Sequence, residues 1–334
     1  MRVLLVNATF GGVSGSGRHV RLLYDFLKNK VDFELWTIET IGCLNIKKLK
    51  NASFYLRCKL RRVSEDIDII HVHNPKFAGL FNEKRKNVLT VHGSYEEELM
   101  LQYGPLIRPI VWYIRRNLKK ADEITCVDPY VAERAGWTWI PNMIDVGEVE
   151  RIPPAEGEPR LLWIGRDDPV KNHALFREVA RMAYEELGVK SLALGIPRGR
   201  YPEEEWIEYK VVPWSNVIAY LKSAYALVIT SKVEGFPTTI LEAWASKCPV
   251  ISPPLPSIVK LNEALGQVIY TTNSYDPEEF LSKIRITIKG ETDKMIEKCL
   301  LIVKEKFDVK VVSEKYFELY RGILDHENIR SCET

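Results

Sequence analysis

The chain has 334 residues, about twice the length of a typical domain, so two domains are expected. Hydrophobic residues make up 46% and charged residues 28% of the sequence, which excludes a disordered chain, a collagen-like repeat and a predominantly membrane-embedded fold. The net charge of +2 excludes a protein that coats nucleic acid, but residues 1–147 carry +6 and the remainder −4. The basic first half predicts an anionic partner for that half.

Cellular location is inferred from the first residues and the cysteines. The start, MRVLLVN, holds an apolar run of four residues, too short for the core of a secretory signal. The six cysteines are scattered without a CxxC pair and are expected to be reduced. No run approaches the roughly 18 apolar residues that span a bilayer. These features predict a cytoplasmic protein.

Short apolar runs alternate with helix-length amphipathic stretches, a pattern that predicts parallel sheets with helices on both faces. The predicted buried strands are Val3–Val6, Phe33–Thr37, Ile67–Val72, Val88–Val91 and Glu123–Val127, followed by Arg160–Ile164, Ser191–Gly195, Ala226–Thr230 and Pro249–Ile251. Asp145–Pro159, rich in proline and acidic residues, separates the two series and is interpreted as a linker. The fold class is therefore α/β, with two doubly wound parallel-sheet domains facing a cleft in which the ligand is expected to bind.

A glycine-rich loop, NATFGGVSGSGRHV, follows the first predicted strand. Gly11 and Gly12 permit positive φ angles and a close approach of the backbone to a ligand. A helix is expected to begin near Ser16–Arg18, where free N–H groups suit a phosphate or a carboxylate. The glycine spacing differs from G-x-G-x-x-G, which disfavours an NAD-dependent dehydrogenase. A merely flexible loop is the alternative.

Three histidines, His71, His73 and His92, fall at predicted strand ends. A zinc site is disfavoured because no cysteine or carboxylate completes an obvious set of ligands. His92 precedes Gly93, at a position where its side chain can point into the cleft. It is therefore a candidate catalytic residue, and a structural core histidine is the alternative.

The second series of strands opens with LLWIGRDDPVKNH. Its first strand is expected to end at Gly165, and Arg166 and Lys171 follow on the same loop. A planar guanidinium and a mobile ammonium group together suit a diphosphate. The alternative is that both are surface charges that pair with Asp167 and Asp168.

Two carboxylates occur in TSKVEGFPTTILEAWA, Glu234 before a predicted helix and Glu242 within it. Carboxylates accept hydrogen bonds only, which suits them to the hydroxyl groups of a sugar or a ribose. Pro237 is favourable as the first helical residue, and the helix start would be an anion site. That site is expected to comprise Phe236, Pro237, Thr238 and Thr239. The alternative is one helix cap and one surface glutamate.

Glu234 and Glu242 form an E-x7-E pattern that resembles the signature of the retaining glycosyltransferases of family 4 (glycosyl transferases group 1), which have the GT-B fold. Further segments resemble the family's motifs in the same order along nearly the whole chain: FGGVSGSGRHV, DIDIIHVH, LTVHG, ADEIT, IPNMID, WIGRDDPVKN and EAWASKCPVI. The resemblance implies two Rossmann-like domains. Residues 1–147, completed by the C-terminal helix 310–334, would form the acceptor side, and residues 148–309 the donor side.

The resemblance also implies roles for individual residues. Arg166 and Lys171 would hold the donor diphosphate, Glu234 would contact the donor sugar, Glu242 the ribose, and His92 would lie beside the transferred sugar. The expected catalytic residues are thus Arg166, Lys171, Glu234 and His92, and the expected donor-binding residues are Gly11, Gly12, Gly165, Phe236, Pro237, Thr238, Thr239 and Glu242. Retention would follow from a same-face substitution in which the leaving phosphate helps to deprotonate the acceptor, with no metal and no cofactor.

The sequence departs from the family pattern at several points near the expected donor pocket. Lys247 and Cys248 occupy positions where a glycine before Pro-Val is usual, and Met143 replaces another common glycine. After Pro254 the chain reads LPSIVKLN, without the expected Gly-Gly. The identity of the donor is therefore not inferred from the resemblance. The D-x-D at Asp66–Asp68 lies at a strand start and is interpreted as incidental.

Two basic stretches without acidic residues, Lys47–Val63 and Pro105–Lys120, contain aromatic side chains, among them Tyr55 and Trp112. Basic-aromatic helices can bind anionic membranes, so Lys47–Arg62 and Arg108–Lys120 are candidates for contact with the inner membrane face. The alternative is a solvated helix face that packs its apolar side on the sheet.

The sequence thus predicts a retaining glycosyltransferase that moves a sugar from a nucleotide-diphosphate sugar to a glycan, lipid-linked or small-molecule acceptor, without nucleic acid as a partner. A nucleotide-sugar 2-epimerase of the same architecture is one alternative. A non-catalytic, two-lobed sugar-binding protein is the other, and it is disfavoured by the Arg166–Lys171 loop.

Overall fold

The fold is known from a computed structural model that describes residues 1–12, 14–46 and 49–331, with side chains as far as Asp325. Val13, Lys47, Lys48 and Cys332 lie outside the described residues. The chain divides into two compact units. Unit 1 comprises Met1–Met143 and Val309–Thr334, and unit 2 comprises Ile144–Asp308.

Unit 1 is built around a parallel sheet of six strands: β1 (Arg2–Val6), β2 (Asp32–Trp36), β3 (Ile69–Val72), β4 (Lys86–Val91), β5 (Glu123–Cys126) and β6 (Thr138–Trp139). Their order in the sheet is β2-β1-β3-β4-β5-β6. Strands β1, β3 and β4 are buried along nearly their whole length, as expected for central strands covered on both faces.

The helices that precede the second unit are α1 (Gly15–Leu27), α2 (Ile38–Ile41), α3 (Lys50–Leu60), α4 (Tyr95–Tyr103), α5 (Arg108–Leu118) and α6 (Pro129–Ala135), with 3₁₀ turns at Pro75–Leu80 and Pro105–Ile107. Helix α1 begins earlier than predicted because Ser14 caps it, its hydroxyl accepting a hydrogen bond from the Gly17 amide at 3.4 Å. Val20, Leu23 and Leu27 form the buried face of α1.

Unit 2 contains a second parallel sheet of six strands: β7 (Leu161–Ile164), β8 (Ser191–Leu194), β9 (Ile207–Lys210), β10 (Ala226–Val228), β11 (Val250–Ser252) and β12 (Tyr270–Thr271). Their order is β12-β11-β10-β7-β8-β9. The helices are α7 (Val146–Arg151), α8 (His173–Leu187), α9 (Trp214–Lys222), α10 (Thr238–Ala245), α11 (Pro256–Leu265), α12 (Pro277–Ile288) and α13 (Asp293–Ile302), followed by a π-helical segment at Val303–Phe307.

The last helix, α14 (Val309–Ser331), packs beside α1 in unit 1. Val309, Val312, Tyr316 and Tyr320 of α14 are fully buried there. With these side chains the end of the chain completes the core of unit 1.

The predicted α/β class with two parallel sheets is confirmed. Three edge strands, β6, β9 and β12, were not predicted, because two of them have only two residues and β9 alternates buried and half-buried side chains. The predicted linker Asp145–Pro159 is wrong in part, since it contains α7. The Asp145 carboxylate caps α7 by accepting from the Glu148 amide at 2.9 Å, and Val146 and Val149 enter the core of unit 2. No helix of the described residues is long and apolar enough to cross a membrane.

Candidate active site

Each sheet has one topological switch point, a pair of neighbouring strands from which the chain continues toward opposite edges of the sheet. Ligands of parallel α/β proteins bind at such points. In unit 2 the switch point lies between β7 and β10, which pair directly. The loop that carries Arg166 and Lys171 follows β7, and the loop that carries Glu234 follows β10. The two loops therefore begin side by side at the carboxyl edge of the sheet.

The strongest contact between these loops is an ion pair between Lys171 and Glu234. The Lys171 ammonium donates to Glu234 Oε1, and the Ser231 hydroxyl donates to the same oxygen at 2.5 Å. Both side chains of the pair are mostly buried, with exposed fractions of 20% and 12%. Two residues that are 63 positions apart in sequence are thus held together at the predicted site.

A buried threonine fixes the backbone beneath this pair. The Thr230 hydroxyl donates to the carbonyls of Lys171 and Asn172 at 3.0 and 3.1 Å, and it accepts from Trp163 Nε1 at 3.0 Å. The Lys232 amide also donates to the Val170 carbonyl at 2.8 Å. Since these bonds join the two loops through their backbones, Lys171 and Glu234 are positioned by rigid elements.

Arg166 occupies a different environment from Lys171. Its side chain is 82% exposed and its guanidinium lies 3.1 Å from Asp168 Oδ2. Asp167 instead pairs with Arg200 at 2.8 Å and accepts from the Tyr201 hydroxyl, and both bonds keep the pKa of Asp167 below its usual value. Arg166 therefore pairs on the surface with an aspartate, as one of the two interpretations of this loop expected. The ammonium group of Lys171 instead pairs with Glu234.

Gly165, predicted to bind the donor, has a packing reason to be glycine. A Cβ atom at this position would lie 2.9 Å from the ring of Trp163 and 3.2 Å from Cγ of Lys171. Glycine at this position therefore lets the Trp163 ring and the stem of Lys171 pack closely against the loop backbone.

The start of α10 lies directly after Glu234. Pro237 is the N-cap residue rather than the first helical residue that we predicted, because its extended ψ of 133° precedes the first helical turn at Thr238. Phe236 is buried against Trp244 and Phe307, whereas Thr238 and Thr239 are partly exposed. The first amides of α10 have no partner within the helix, as in any α-helix, and they form the positive end of its dipole.

Glu242 lies within α10 and is 6% exposed, so the surface alternative for this residue is wrong. Its Oε1 accepts a hydrogen bond from Trp214 Nε1, at the first position of α9, at 2.8 Å. Burial of a carboxylate costs free energy unless it is hydrogen-bonded, and the indole supplies such a bond. Sequence inspection did not identify Trp214.

The backbone conformation of Lys247 explains why glycine suits this position of the family pattern. It follows the C-cap of α10 with φ 58°, in the left-handed region. Glycine adopts this conformation without the steric cost that a Cβ atom brings. The position is therefore one at which the backbone favours glycine, although this chain has lysine.

In unit 1 the glycine-rich loop lies between β1 and α1, at the point where β1 pairs with both β2 and β3. Gly11 and Gly12 adopt positive φ angles of 72° and 70°, as predicted. Gly17 is also required, because a Cβ atom there would lie 2.5 Å from the Gly11 carbonyl oxygen. The Gly17 carbonyl in turn accepts from the Gly11 amide at 2.8 Å, which closes the loop on the first turn of α1.

Beneath this loop, four histidines pack together: His19 of α1, His71 and His73 of β3, and His92 after β4. The ring centroids of His71 and His73 are 4.0 Å apart, those of His19 and His92 5.0 Å, and His92 Nε2 lies 3.5 Å from His73 Nδ1. His19, His71 and His73 are fully buried, whereas His92 is partly exposed. His92 is thus the member of the cluster that solvent reaches, and sequence inspection missed His19.

Polar side chains from distant segments bind the buried imidazoles. His71 is bonded to the Tyr320 hydroxyl at 2.6 Å and to Thr90 at 2.8 Å, and His19 to Asn142 and Tyr316, each at 3.2 Å. Burial lowers the pKa of His71 to about 3 and that of His92 to about 4. Burial likewise holds the pKa of His19 and of His73 well below the usual value. The cluster is therefore neutral at pH 7.

Among the residues that the structure describes, no group of three or more His, Cys, Asp or Glu side chains is arranged to hold a metal ion. The imidazole nitrogens of His19 and His71 are already bonded to amide and hydroxyl groups.

Family models match both halves of the chain. Residues 14–148 match the model described as Glycosyltransferase Family 4, and residues 158–289 match the model described as Glycosyl transferases group 1. Lipopolysaccharide 1,6-galactosyltransferase of Salmonella typhimurium is 33% identical over 169 residues, which are 45% of this chain and 45% of that protein. The alignment thus spans less than half the length of this relative.

Solved structures share the fold over nearly the whole chain. Sucrose-phosphate synthase from Thermosynechococcus elongatus superposes with a TM-score of 0.79 at 15% identity, over 97% of this chain and 99% of that chain. The Anabaena protein HepE, in complex with UDP and glucose, superposes with a TM-score of 0.71 at 14% identity, over 96% of this chain and all of that chain. The chain therefore has the GT-B fold, with a segment that matches the Glycosyltransferase Family 4 model followed by a segment that matches the Glycosyl transferases group 1 model.

Proposed function

We propose that this protein transfers a hexose from a UDP-hexose to a hydroxyl group of a lipid-linked glycan, with retention of the anomeric configuration. The observation that carries the proposal is the Lys171–Glu234 pair at the carboxyl edge of the unit 2 sheet. A cation for the diphosphate and a carboxylate for the sugar hydroxyls meet there. The UDP complex of HepE and the galactosyltransferase activity of the Salmonella relative support a UDP-hexose as donor.

In the proposed mechanism Lys171 and the amides of Thr238 and Thr239 bind the diphosphate. As the bond between the anomeric carbon and the phosphate oxygen breaks, negative charge grows on the leaving diphosphate, and these groups stabilise it. Arg166 is exposed and long enough to change its partner from Asp168 to a phosphate oxygen.

Glu234 is assigned to the hydroxyl groups of the donor sugar, and Glu242 to those of the ribose. Glu234 accepts hydrogen bonds from Lys171 and Ser231. The hydroxyl groups of a bound sugar would donate to the same carboxylate and so join this hydrogen-bond network. Because both carboxylates are engaged in this way, neither is assigned as a nucleophile. Retention is instead ascribed to attack of the acceptor on the face from which the diphosphate leaves, with a phosphate oxygen accepting the acceptor's proton.

Incubation with UDP-glucose and UDP-galactose tests the proposed function. We expect slow release of UDP without an acceptor, faster release with a glycan acceptor, and an α-linked product from the α-linked donor, as observed by nuclear magnetic resonance. A β-linked product would overturn retention. Epimerisation of the donor at C2 without transfer would favour the epimerase alternative, and absence of both UDP release and UDP binding would reject the donor class.

Replacement of Glu242 by alanine is expected to weaken binding of UDP by about 1.5–3 kcal/mol, because the ribose hydroxyl groups lose a charged hydrogen-bond acceptor on the protein. Isothermal titration calorimetry with UDP and with inorganic diphosphate separates the two parts of the ligand, since only UDP carries the ribose. Trp214→Phe is the matched control, because it removes the indole donor to Glu242 and keeps the carboxylate. Equal affinity of the wild type and Glu242→Ala for UDP would contradict the assigned role.

A further inference from the structure

Helices α3 and α5 are neighbours on the surface of unit 1, joined by a pair of tyrosines. The hydroxyl groups of Tyr55 and Tyr113 lie 2.8 Å apart, and both lie over Gly79 in the 3₁₀ turn Pro75–Leu80. The Lys59 ammonium of α3 donates to the Gly79 carbonyl. The exposed side chains of residues 49–60 and 106–119 thus border one another, and together we call them the α3–α5 face.

The part of this face that α3 contributes is aliphatic at its centre. Leu49, Leu56 and Leu60 are exposed and spaced at i, i+7 and i+11, which places them on one stripe of the helix. Leu60 is 80% exposed. Arg57 and Lys59 lie on the two sides of this stripe. The opposite side of α3 packs into the core of unit 1.

Helix α5 repeats this arrangement with an aromatic centre. Trp112 is 62% exposed, and Arg108, Arg116 and Lys119 lie on the same stripe at i−4, i+4 and i+7. Leu106, in the turn before α5, is 90% exposed. The Arg116 guanidinium lies 5.8 Å from the centre of the Trp112 ring.

The charges of this face are largely free to act on a partner. Arg115 is paired with Glu96, but among the described residues no carboxylate pairs with Arg57, Arg108, Arg116 or Lys119. Residues 49–63 and 105–120 contain no acidic residue at all. The face therefore carries a positive potential that favours an anionic partner.

The exposed leucines decide which anionic partner fits. A nucleic acid presents phosphates and base faces, which suit the basic and aromatic side chains but give Leu56, Leu60 and Leu106 no apolar phase to enter. An anionic bilayer offers headgroup charges for the arginines and lysines, and acyl chains for the leucines. Tryptophan side chains favour the interface between the headgroups and the acyl chains.

We propose that the α3–α5 face binds the surface of an anionic lipid bilayer, with Trp112 at the boundary between headgroups and acyl chains and the exposed leucines in contact with the acyl chains. The function proposed above gives this docking a purpose, since a lipid-linked acceptor is held in such a bilayer. Membrane binding itself needs neither donor nor acceptor. It is therefore measured without substrates, and its failure is distinct from failure of the transferase proposal.

Cosedimentation of the full chain with vesicles of phosphatidylcholine, with and without about 30 mol% of the anionic lipid phosphatidylglycerol, tests the proposal. Binding is expected only to the anionic vesicles and is expected to decline as the salt concentration rises. A blue shift of tryptophan emission on binding, absent in Trp112→Phe, reports entry of Trp112. Binding to both kinds of vesicle alike, or to neither, overturns the proposal.

Charge reversal locates the surface. Each cation near an anionic membrane contributes about a fivefold factor in partitioning, so Arg108→Glu/Arg116→Glu/Lys119→Glu is expected to lower binding at least ~100-fold. The matched control, Lys190→Glu/Lys289→Glu/Lys294→Glu, changes three exposed lysines of unit 2 by the same total charge and is expected to bind nearly as the wild type. Equal losses in the two triple variants, at unchanged thermal stability, would show that net charge alone drives binding and would reject this face. Tight binding to single-stranded RNA in place of vesicles would also reject it.

Discussion

Replacing Lys171 with alanine is expected to lower kcat by about 100- to 1000-fold while changing KM by less than tenfold. The reason is that the charge on the diphosphate grows as the glycosidic bond breaks, so a cation there acts more strongly in the transition state than in the ground state. The partly buried position of Lys171 strengthens this interaction, because water screens it less. Arg166→Ala is expected to act in the same direction.

The Lys171 experiment needs controls for the buried pair that the mutation breaks. Lys171→Ala leaves the Ser231 hydroxyl as donor to the Glu234 carboxylate but removes the neighbouring cation. Lys171→Arg keeps a cation beside the carboxylate and so separates loss of charge from loss of structure. Lys190→Ala removes an exposed lysine at the amino end of β8, at the opposite edge of the sheet, and is expected to keep full activity. A tenfold rise in KM with kcat unchanged in Lys171→Ala would contradict the assigned role.

Lowering the pH from 7 to 5 is expected to destabilise unit 1 by several kcal/mol. An unfolded histidine has a pKa of about 6.5 and takes up a proton in this range, whereas folded His71 and His92, with pKa values of about 3 and 4, remain neutral. The unfolded state therefore binds more protons, and stability falls as the pH falls. These two residues together contribute about 4 kcal/mol of this loss, and His19 and His73 act in the same direction.

One carboxyl group in unit 1 opposes this trend. Burial raises the pKa of Asp128, which caps α6, to about 6, so it takes up a proton in the folded state between pH 7 and 5. Protonation of folded Asp128 raises the free energy of unfolding by about 1 kcal/mol over this pH range, which is too little to reverse the effect of the histidines.

Urea unfolding at pH 7 and pH 5, combined with hydrogen exchange read separately in peptides of the two units, checks the prediction. Unit 2 contains one histidine, His173, and burial lowers its pKa to about 4. Unit 2 is therefore expected to lose less stability than unit 1 between pH 7 and pH 5. His92→Gln removes one titrating group from the cluster at its partly exposed member and is expected to flatten the pH dependence by about 2 kcal/mol over this range. Equal acid sensitivity of the two units would contradict the cluster as its source.

Sequence patterns were sufficient for the parts of this protein that depend on local chemistry. Apolar runs such as Val3–Val6 identified central strands, because a strand covered on both faces must be apolar along its length. They failed for β9 and the two-residue edge strands, which are stabilised by pairing with a neighbour rather than by their own composition. The linker prediction failed for the same kind of reason, since α7 depends on the Asp145 cap and on the core that it joins.

For the candidate site, residue types and spacing were enough to identify side chains that are chemically suited to a nucleotide sugar: Arg166, Lys171, Glu234 and Glu242. Their functional roles remain predictions. Their environments could be learned only from the folded chain: Lys171 and Glu234 form a buried pair, Arg166 stays in solvent, and Glu242 is bonded to Trp214. The tertiary structure also brought His19 of α1 beside His73 and His92. These contacts join residues 28 to 73 positions apart, and the order of strands in each sheet, which local sequence does not encode, determines which strand ends meet.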